Sequence, residues 1–120
     1  MYKDKNCTYP TEVLDDVWVF ERLCDRVFTW GLQRNITEAG GATSLTQIRK
    51  LKEEVSEIEA GLLSDNEDEI RDGIGDTLVV LLQICRLGGF NLEDCLAKAW
   101  DSIKDRKGTM VNGVFVKEAK

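Results

Sequence analysis

Histidine is absent from this chain of 120 residues, and cysteine occurs four times without a CxxC pair. The lack of histidine excludes a catalytic triad of the serine–histidine type and a histidine-ligated zinc site. The cysteines stand mostly in apolar helical surroundings, which predicts reduced, buried thiols in a cytosolic protein. They are Cys7, Cys24, Cys85 and Cys95.

Positive charge and long apolar runs are also scarce. The chain has 16 basic and 22 acidic residues, a net charge of -6, which argues against a dedicated binder of nucleic acid or anionic membranes. The apolar run Thr77–Ile84 is far too short to span a bilayer, and no signal peptide is recognisable. We therefore expect a cytoplasmic protein with a single domain over residues 1–120, of which residues 1–10 are flexible.

What the sequence does contain is helical periodicity. Apolar residues recur at helical spacing in four stretches, which capping residues and glycines separate. The predicted first helix runs from Thr11 to about Trp30-Gly31, the second begins with a capping box of Ser44 and Gln47, the third runs from Ser64–Asn66 to Gly88-Gly89, and the fourth is capped by Asn91, with its buried side at Leu92, Cys95, Leu96, Ala99 and Ile103.

After Gly108 the periodicity changes from that of a helix to that of strands. Asn112-Gly113 is the preferred pair for a type I′ turn, and short apolar segments flank it. The sequence therefore predicts an all-α protein, a four-helix bundle with a short C-terminal β-hairpin over residues 109–118.

Acidic residues are concentrated in the second and third predicted helices, where ten carboxylates and one basic residue fall between positions 53 and 76. On a helical wheel they form one sector on each helix. Because helices joined by a short loop are antiparallel neighbours, the two sectors can face each other. Converging carboxylates repel unless a cation lies between them, and all-oxygen donors suit Mg²⁺ or Mn²⁺. The sectors are Glu53, Glu54 and Glu57 on the second helix, and Glu69, Asp72 and Asp76 on the third.

A simpler interpretation is that these acidic residues are solvated or stabilise a helix N-terminus. We favour it for Glu67 and Asp68, in the first turn of the third helix. Asp76 differs, because an apolar run follows it at once. Gly73 and Gly75 each cost about 1 kcal/mol relative to Ala in a helix interior, which indicates that something approaches the backbone closely there.

Two patterns together carry a family resemblance: Lys50-Leu51-Lys52-Glu53-Glu54-x-x-Glu57, and Glu69-x-x-Asp72-x-x-Gly75-Asp76 before the apolar run. They resemble the MazG-like nucleoside triphosphate pyrophosphohydrolases of the all-α NTP pyrophosphatase superfamily. Flanking stretches extend the resemblance over residues 28–118. It implies hydrolysis of a nucleoside or deoxynucleoside triphosphate between its α- and β-phosphates, to monophosphate and pyrophosphate, in control or house-cleaning of the nucleotide pool. The flanking stretches are Trp30-Gly31-Leu32-x-Arg34-Asn35-Ile36 with Gln47, and the tail from Ile103 to Lys117.

The resemblance also implies roles for particular carboxylates. Glu54, Glu57 and Asp76 would ligate Mg²⁺, and Glu53 would help to bind a second ion or orient water. Since the chain has no histidine, the base is a carboxylate or a metal hydroxide, and Glu53 is our candidate.

One position departs from the family pattern. Many members have Glu three residues before the last Asp, where this chain has Gly73. Asp72 is then the substitute ligand, with Glu69 as the alternative. The departure also supports a second hypothesis, a catalytically inactive helical interaction module that keeps the fold. A calcium-binding protein is disfavoured, because no EF-hand loop is present.

Substrate binding requires positive charge for the outer phosphates. The only dense basic stretch is 104–107, which a favourable interaction with a helix C-terminus explains equally well. Trp30 or Phe28 is available to stack on the base, although aromatic residues at helical spacing are more often core. The predicted substrate-binding residues are Lys50, Trp30, Arg34, Lys104, Arg106 and Lys107.

The third predicted helix is apolar on nearly every side. Val79 and Leu82 lie away from its main apolar stripe, so a single four-helix unit would leave them uncovered. This predicts a homodimer or a dimer-of-dimers tetramer, as family members assemble.

Overall fold

The computed structural model describes residues 20–119 and confirms the all-α fold with a C-terminal hairpin. The part of the predicted first helix that precedes Phe20 lies outside the described residues, as do Cys7 and the stretch 1–10. The described elements are α1 Phe20–Gln33, α2 Ser44–Leu63, α3 Glu67–Gly88, α4 Leu92–Ile103, β1 Gly108–Val111 and β2 Val114–Lys117.

Helix α2 begins with a capping box, although the box lies one residue earlier than Ser44 and Gln47. The Thr43 hydroxyl accepts a hydrogen bond from the Thr46 amide at 3.0 Å, and the Thr46 hydroxyl accepts one from the Thr43 amide at 2.9 Å. The prediction was wrong because it required a glutamine or glutamate at the third position. A threonine hydroxyl satisfies the same backbone donor.

The boundaries of α3 and α4 are confirmed. The side chains of Asn66 and Asn91 accept hydrogen bonds from backbone amides three residues on, at 3.2 Å and 3.0 Å. Gly89 ends α3 in the left-handed region with φ 75°. A glycine adopts that conformation without steric cost, so α3 stops there and α4 starts in a new direction.

Helices α2 and α3 pack antiparallel at close range. A Cβ atom at Gly73 would lie 2.6 Å from Cγ1 of Ile58, and one at Gly61 would lie 3.2 Å from the backbone nitrogen of Ile70. Each glycine therefore lets one helix approach the other. The prediction that something approaches the backbone is confirmed at Gly73 and wrong at Gly75, where a Cβ would contact nothing within 4 Å.

Helix α1 is held against α3 through polar groups. Gln83 is only 1 % exposed, and its Nε2 donates to the Val27 carbonyl at 3.3 Å. Its Oε1 accepts from Nη2 of Arg86 at 2.7 Å, and Arg86 also donates to the Ile36 carbonyl. Gly31 lies within α1 and is buried against Gln83. Because this packing needs the glycine in helical conformation, α1 does not end at Gly31 but continues to Gln33.

The fourth helix begins beside α1, where Leu92 and Leu96 line a pocket together with Phe20 and Cys24. It bends away from α3 by 103°, and none of its residues is buried. The prediction of its buried side is therefore wrong within the described chain, since Leu92 is only half-buried, and Leu96, Ala99 and Ile103 are exposed. Cys95 is exposed as well, against the prediction of a buried thiol, whereas Cys85 is buried.

The hairpin confirms the Asn112-Gly113 turn. Both residues have positive φ angles, 51° and 81°, as a type I′ turn requires, and Met110 pairs with Phe115. The strands contact chiefly each other, and Met110, Val114 and Phe115 are exposed. We call α4 and the hairpin, residues 92–117, the C-terminal arm.

The uncovered apolar residues of α3 differ from those predicted. Leu82 is only 3 % exposed and Val79 is half-buried, because α1 and α2 both pack against this helix. The exposed residues are instead Ile74 and Leu78, on the side where Gly75 is open. On α2, Val55 and Leu62 are likewise exposed.

Membrane-spanning helices were also sought. Between residues 20 and 119 no single helix is long and apolar enough to cross a membrane, and only the bent pair of α3 and α4, taken together, meets the length and composition requirements.

Candidate metal centre

Three carboxylates meet where α2 crosses α3. Glu54 and Glu57 lie on α2, and Asp76 lies on α3 one turn beyond Gly73. One oxygen from each lies within 4.8 Å of the other two. The close approach of the helices at Gly73 and Ile58 is what brings side chains as short as these together.

Glu54 is the buried member of this cluster, with 3 % of the residue exposed. Its Oε1 pairs with Nζ of Lys50 at 3.2 Å, whereas its buried Oε2 has no hydrogen-bond partner. A buried carboxylate oxygen without a partner carries a large desolvation cost. Glu54 therefore has one oxygen held by an ammonium group and one that is available to a ligand.

The charges in the cluster shift the pKa of its neighbours. Glu57 in its protonated form hydrogen-bonds to Glu54, and the negative charge of Glu54 repels that of ionised Glu57. Both effects raise the pKa of Glu57. Burial raises the pKa of Asp76, and the charges of Glu54 and Asp72 raise it further. Hydrogen bonds to Glu54 and Glu53 raise the pKa of Lys50, so its ammonium stays charged at neutral pH.

The donor set suits a hard divalent cation. It consists of carboxylate oxygens only, which favours Mg²⁺ or Mn²⁺ over metals that prefer nitrogen or sulfur. Two oxygens bound to one Mg²⁺ lie within about 4.2 Å of each other, since each is about 2.1 Å from the ion. Glu57 and Asp76 are exposed, so rotation of their side chains can close the remaining gap.

The two candidates for a fourth ligand occupy different places. Asp72 lies one turn before Asp76 and is close enough for its charge to raise the Asp76 pKa. Glu69 is seven residues before Asp76, about 10 Å along the helix, and its Cβ lies beside Gly61. The structure therefore brings Asp72 near the cluster and leaves Glu69 at the other end of the helix crossing.

Glu53 and Lys50 lie at the edge of the cluster. Lys50 Nζ is 3.4 Å from Oε2 of Glu53, and both side chains are more than half exposed. Glu53 is thus beside the carboxylates but points toward solvent, where a water molecule can reach it.

Trp30 and Arg34 form a pair at the end of α1. The Arg34 guanidinium lies 5.7 Å from the centroid of the Trp30 ring, a cation–π contact, and both residues are exposed. Adjacent Gly31 packs on Gln83, which is on the same face of α3 as Asp76 and about 10 Å from it. Gly31 and the pair beside it therefore lie toward the C-terminal end of α3 relative to Asp76.

Lys104, Arg106 and Lys107 are not brought to the cluster of their own chain. Asp76 is about 18 Å from the end of α3, and α4 is about 17 Å long. With the 103° bend between the helices, these lengths put the end of α4 about 20 Å from Asp76. Lys104 pairs there with Asp101 at 2.8 Å.

The comparison with protein families was decisive. A family model for the MazG nucleotide pyrophosphohydrolase domain matches residues 42–111, which include α2, α3, α4 and the three clustered carboxylates. The chain belongs to the MazG family. Membership implies a nucleotide pyrophosphohydrolase, a hydrolase whose substrates are nucleoside triphosphates, and MazG proteins generally depend on a divalent metal. Searches of curated proteins and of solved structures found no match.

Sequence reasoning missed the hydrogen bonds that hold α1 in place. Gln83 and Arg86 are the polar residues that interrupt the apolar stretch after Asp76, and that interruption was the available signal. In this MazG chain they fix the helix that carries Trp30 and is followed by Arg34, and those two residues precede the matched region.

Proposed function

We propose that this protein is a Mg²⁺-dependent enzyme that hydrolyses nucleoside or deoxynucleoside triphosphates to monophosphate and pyrophosphate, in control or house-cleaning of the nucleotide pool. The observation that carries the proposal is the cluster of Glu54, Glu57 and Asp76, in which the buried Oε2 of Glu54 lacks a partner. A buried anion beside two further carboxylates is consistent with a cation as its ligand.

In this proposal Glu54, Glu57 and Asp76 hold the metal, and Asp72 supplies the fourth carboxylate. The bound ion would neutralise the phosphates and acidify a water molecule, the chemistry that such ions supply in phosphoryl transfer. Mn²⁺ would substitute, because it accepts the same oxygen donors.

The chain's own residues orient the reactants. Lys50 holds Oε1 of Glu54 and thereby fixes the carboxylate with Oε2 toward the ligand. Glu53, exposed at the edge of the cluster, accepts the proton of the attacking water. Trp30 offers a ring face to the nucleobase, and Arg34 offers a positive charge to the phosphates.

The alternative of an inactive interaction module rested on Gly73. That glycine has a packing reason, because the Ile58 side chain occupies the space that any side chain at position 73 would need. A missing glutamate at this position is therefore no indication of lost activity when Asp72 lies next to it.

The test is turnover of each nucleoside and deoxynucleoside triphosphate with Mg²⁺, with separate measurement of monophosphate, pyrophosphate and orthophosphate. We expect monophosphate and pyrophosphate in equal amounts, and no turnover in EDTA. Release of orthophosphate with diphosphate would show cleavage at the wrong bond. The same screen identifies the preferred base and sugar.

Matched variants locate the chemistry. Glu54→Gln and Asp76→Asn should each lower kcat/KM at least a hundredfold, because each removes a charge that the metal requires. Glu59→Gln removes an exposed carboxylate from the same helix and should leave turnover unchanged. Turnover that survives in the first two variants would overturn the proposed site.

A further inference from the structure

We propose that Cys85 and Cys95 form a reversible disulfide in the presence of hydrogen peroxide, and that this bond locks the corner between α3 and α4. Cys85 lies in the last turn of α3, and Cys95 lies in the first turn of α4. The proposed metal centre uses neither residue. The inference therefore stands independently of the proposed function.

Backbone hydrogen bonds hold both cysteines to the short connection between the helices. The Cys85 carbonyl accepts hydrogen bonds from the amides of Gly89 and, at 2.8 Å, of Phe90. The Cys95 amide donates to the Asn91 carbonyl at 3.0 Å, which closes the first turn of α4. Each cysteine is thus anchored by a hydrogen bond to one of two adjacent residues, Phe90 and Asn91.

The side chains of the two cysteines meet across this corner. Burial raises the pKa of the Cys85 thiol, and the charge of Cys95 and a hydrogen bond between the two side chains raise it further. Residues whose thiols are already in contact need only small side-chain rotations to reach the geometry of a disulfide. The fold therefore presents a preformed pair.

The two thiols differ in exposure, which assigns them different steps. Cys95 is exposed, whereas Cys85 is only 6 % exposed, and its raised pKa keeps it protonated at neutral pH. The thiolate is the reactive form of a cysteine, and it must be accessible to react with a dissolved oxidant. Cys95 is therefore the sulfur that reacts first, and Cys85 is the resolving thiol beside it.

The chemistry balances with hydrogen peroxide as the oxidant. The Cys95 thiolate attacks one peroxide oxygen and breaks the O–O bond, which gives a sulfenic acid and a hydroxide that takes up the proton lost by the thiol. The Cys85 sulfur then attacks the sulfenic sulfur and breaks the S–O bond, and the second hydroxide leaves as water with the Cys85 proton. Two thiols lose two electrons, and one peroxide becomes two water molecules.

The third described cysteine, Cys24, is the competing partner. It lies on α1, where it lines a pocket with Leu92 of α4, and burial and three nearby carboxylates raise its pKa. Cys24 acts on Cys85 through its charge only, whereas Cys95 also hydrogen-bonds to it. Within residues 20–119 the three sulfur atoms do not form a group close enough to share one metal ion. A bond between Cys85 and Cys95 is therefore favoured over a site for a thiolate-bound metal.

A covalent bond at this corner changes how firmly α4 is held. No residue of α4 is buried, so burial contributes little to fixing the direction that the helix takes after Gly89. The disulfide closes a ring of the eleven residues 85–95 and joins the two helices. Oxidation therefore fixes the bend of 103° between α3 and α4.

Peptide mapping of the full-length chain tests the bond. Trypsin places the four cysteines in four different peptides, residues 6–22, 23–26, 72–86 and 87–98. The protein is treated with hydrogen peroxide, alkylated under denaturing conditions and digested without reductant. We expect peptides 72–86 and 87–98 to be joined with the loss of two hydrogen atoms, and dithiothreitol to separate them. Another pairing, a dimer linked through Cys95, or oxidation of Cys95 with Cys85 still free would overturn the inference.

Two serine variants identify the reacting sulfur. Cys24→Ser should leave the link between the two peptides intact. Cys95→Ser changes an exposed position and should leave Cys85 as a free thiol after the same treatment, because burial shields it. Oxidation of Cys85 at the wild-type rate in Cys95→Ser would contradict the assigned order of reaction.

Hydrogen exchange measures the lock. Amide hydrogens of α4 should exchange about fivefold more slowly in the oxidised protein than in the reduced protein, whereas those of α2 should not change. Peroxide-treated Cys95→Ser is the control and should show no slowing. Equal exchange of α4 in the oxidised and reduced wild type would overturn the proposed lock.

Discussion

The α2–α3 pair and the C-terminal arm bury their side chains to opposite extents. In the helix pair, Gly61 and Gly73 let the backbones approach, and Glu54 lies buried at the crossing. In the arm, no residue of α4 is buried, and Trp100 is exposed. The helix pair therefore owes its geometry to contacts within the chain, while the arm leaves its apolar side chains exposed.

This difference bears on how a metal could be held. Carboxylates that bind one ion must be held within a few tenths of an ångström, which a tightly packed helix pair provides. The exposed side chains of the arm are not held in this way. Three predictions test the contrast between the two regions, beginning with the largest effect.

The first compares two leucines. Leu82→Ala should lower the free energy of unfolding by about 2–5 kcal/mol, because the residue is 3 % exposed and leaves a cavity. Leu96→Ala should lower it by less than about 0.5 kcal/mol in dilute protein, because that leucine is 69 % exposed. Urea denaturation measures both.

Protein concentration is the control for this pair. The cost of Leu96→Ala should grow as concentration rises, since assembly then contributes to stability. A cost equal to that of Leu82→Ala at every concentration would show that α4 packs within its own chain.

The second prediction compares two glycines of α3. Gly73→Ala and Gly75→Ala gain the same helix propensity, so their difference isolates packing. At Gly73 the new Cβ meets Ile58, whereas at Gly75 it meets nothing within 4 Å. We expect Gly73→Ala to be the less stable by about 1–3 kcal/mol. Equal stabilities would contradict the close approach of α2 and α3.

The third prediction concerns pH in the absence of metal. The pKa of Glu57 and of Asp76 is raised above the ordinary values of 4.5 and 3.8. The folded state therefore binds protons at these two groups more tightly than the unfolded state. The stability that this proton binding contributes is fully present at a pH below the ordinary pKa values. It is lost as the pH rises through the raised pKa of each group.

Thermal unfolding from pH 4 to 8 measures this effect. The slope of Tm against pH should be shallower for Glu57→Gln than for the wild type, because one repelling carboxylate has been removed. Added Mg²⁺ should raise the wild-type Tm more at pH 8 than at pH 5, since protons compete for the same oxygens. An identical slope in variant and wild type would exclude repulsion within the cluster.

The helix periodicity of the sequence was sufficient to predict most of the fold. Asn66, Gly89 and Asn91 predicted where α3 and α4 begin and end, because caps are local interactions. The burial of α4 was predicted wrongly. An apolar stripe indicates that a face will be covered, but it does not say whether the covering surface belongs to the same chain.

The candidate site followed from sequence for a similar reason. Helical spacing and antiparallel packing predicted that two acidic sectors of three residues each would face each other. The family resemblance singled out Glu54, Glu57 and Asp76, which the structure brings together. The buried Oε2 of Glu54 and its pairing with Lys50 were beyond prediction, since they depend on how closely two helices approach. The distance of Lys107 from the cluster depends on the direction that α4 takes after Gly89.

The hydrogen bonds of Gln83 and Arg86 have a consequence for the order of folding. They join residues 56 and 50 positions apart, whereas a three-residue connection at 64–66 joins α2 to α3. Closing the longer loop costs more chain entropy, so we expect α2 and α3 to pair before α1 docks. Amide hydrogens of α1 should then exchange faster than those of α3. We therefore expect the end of α1 that carries Trp30 to form last and to open first.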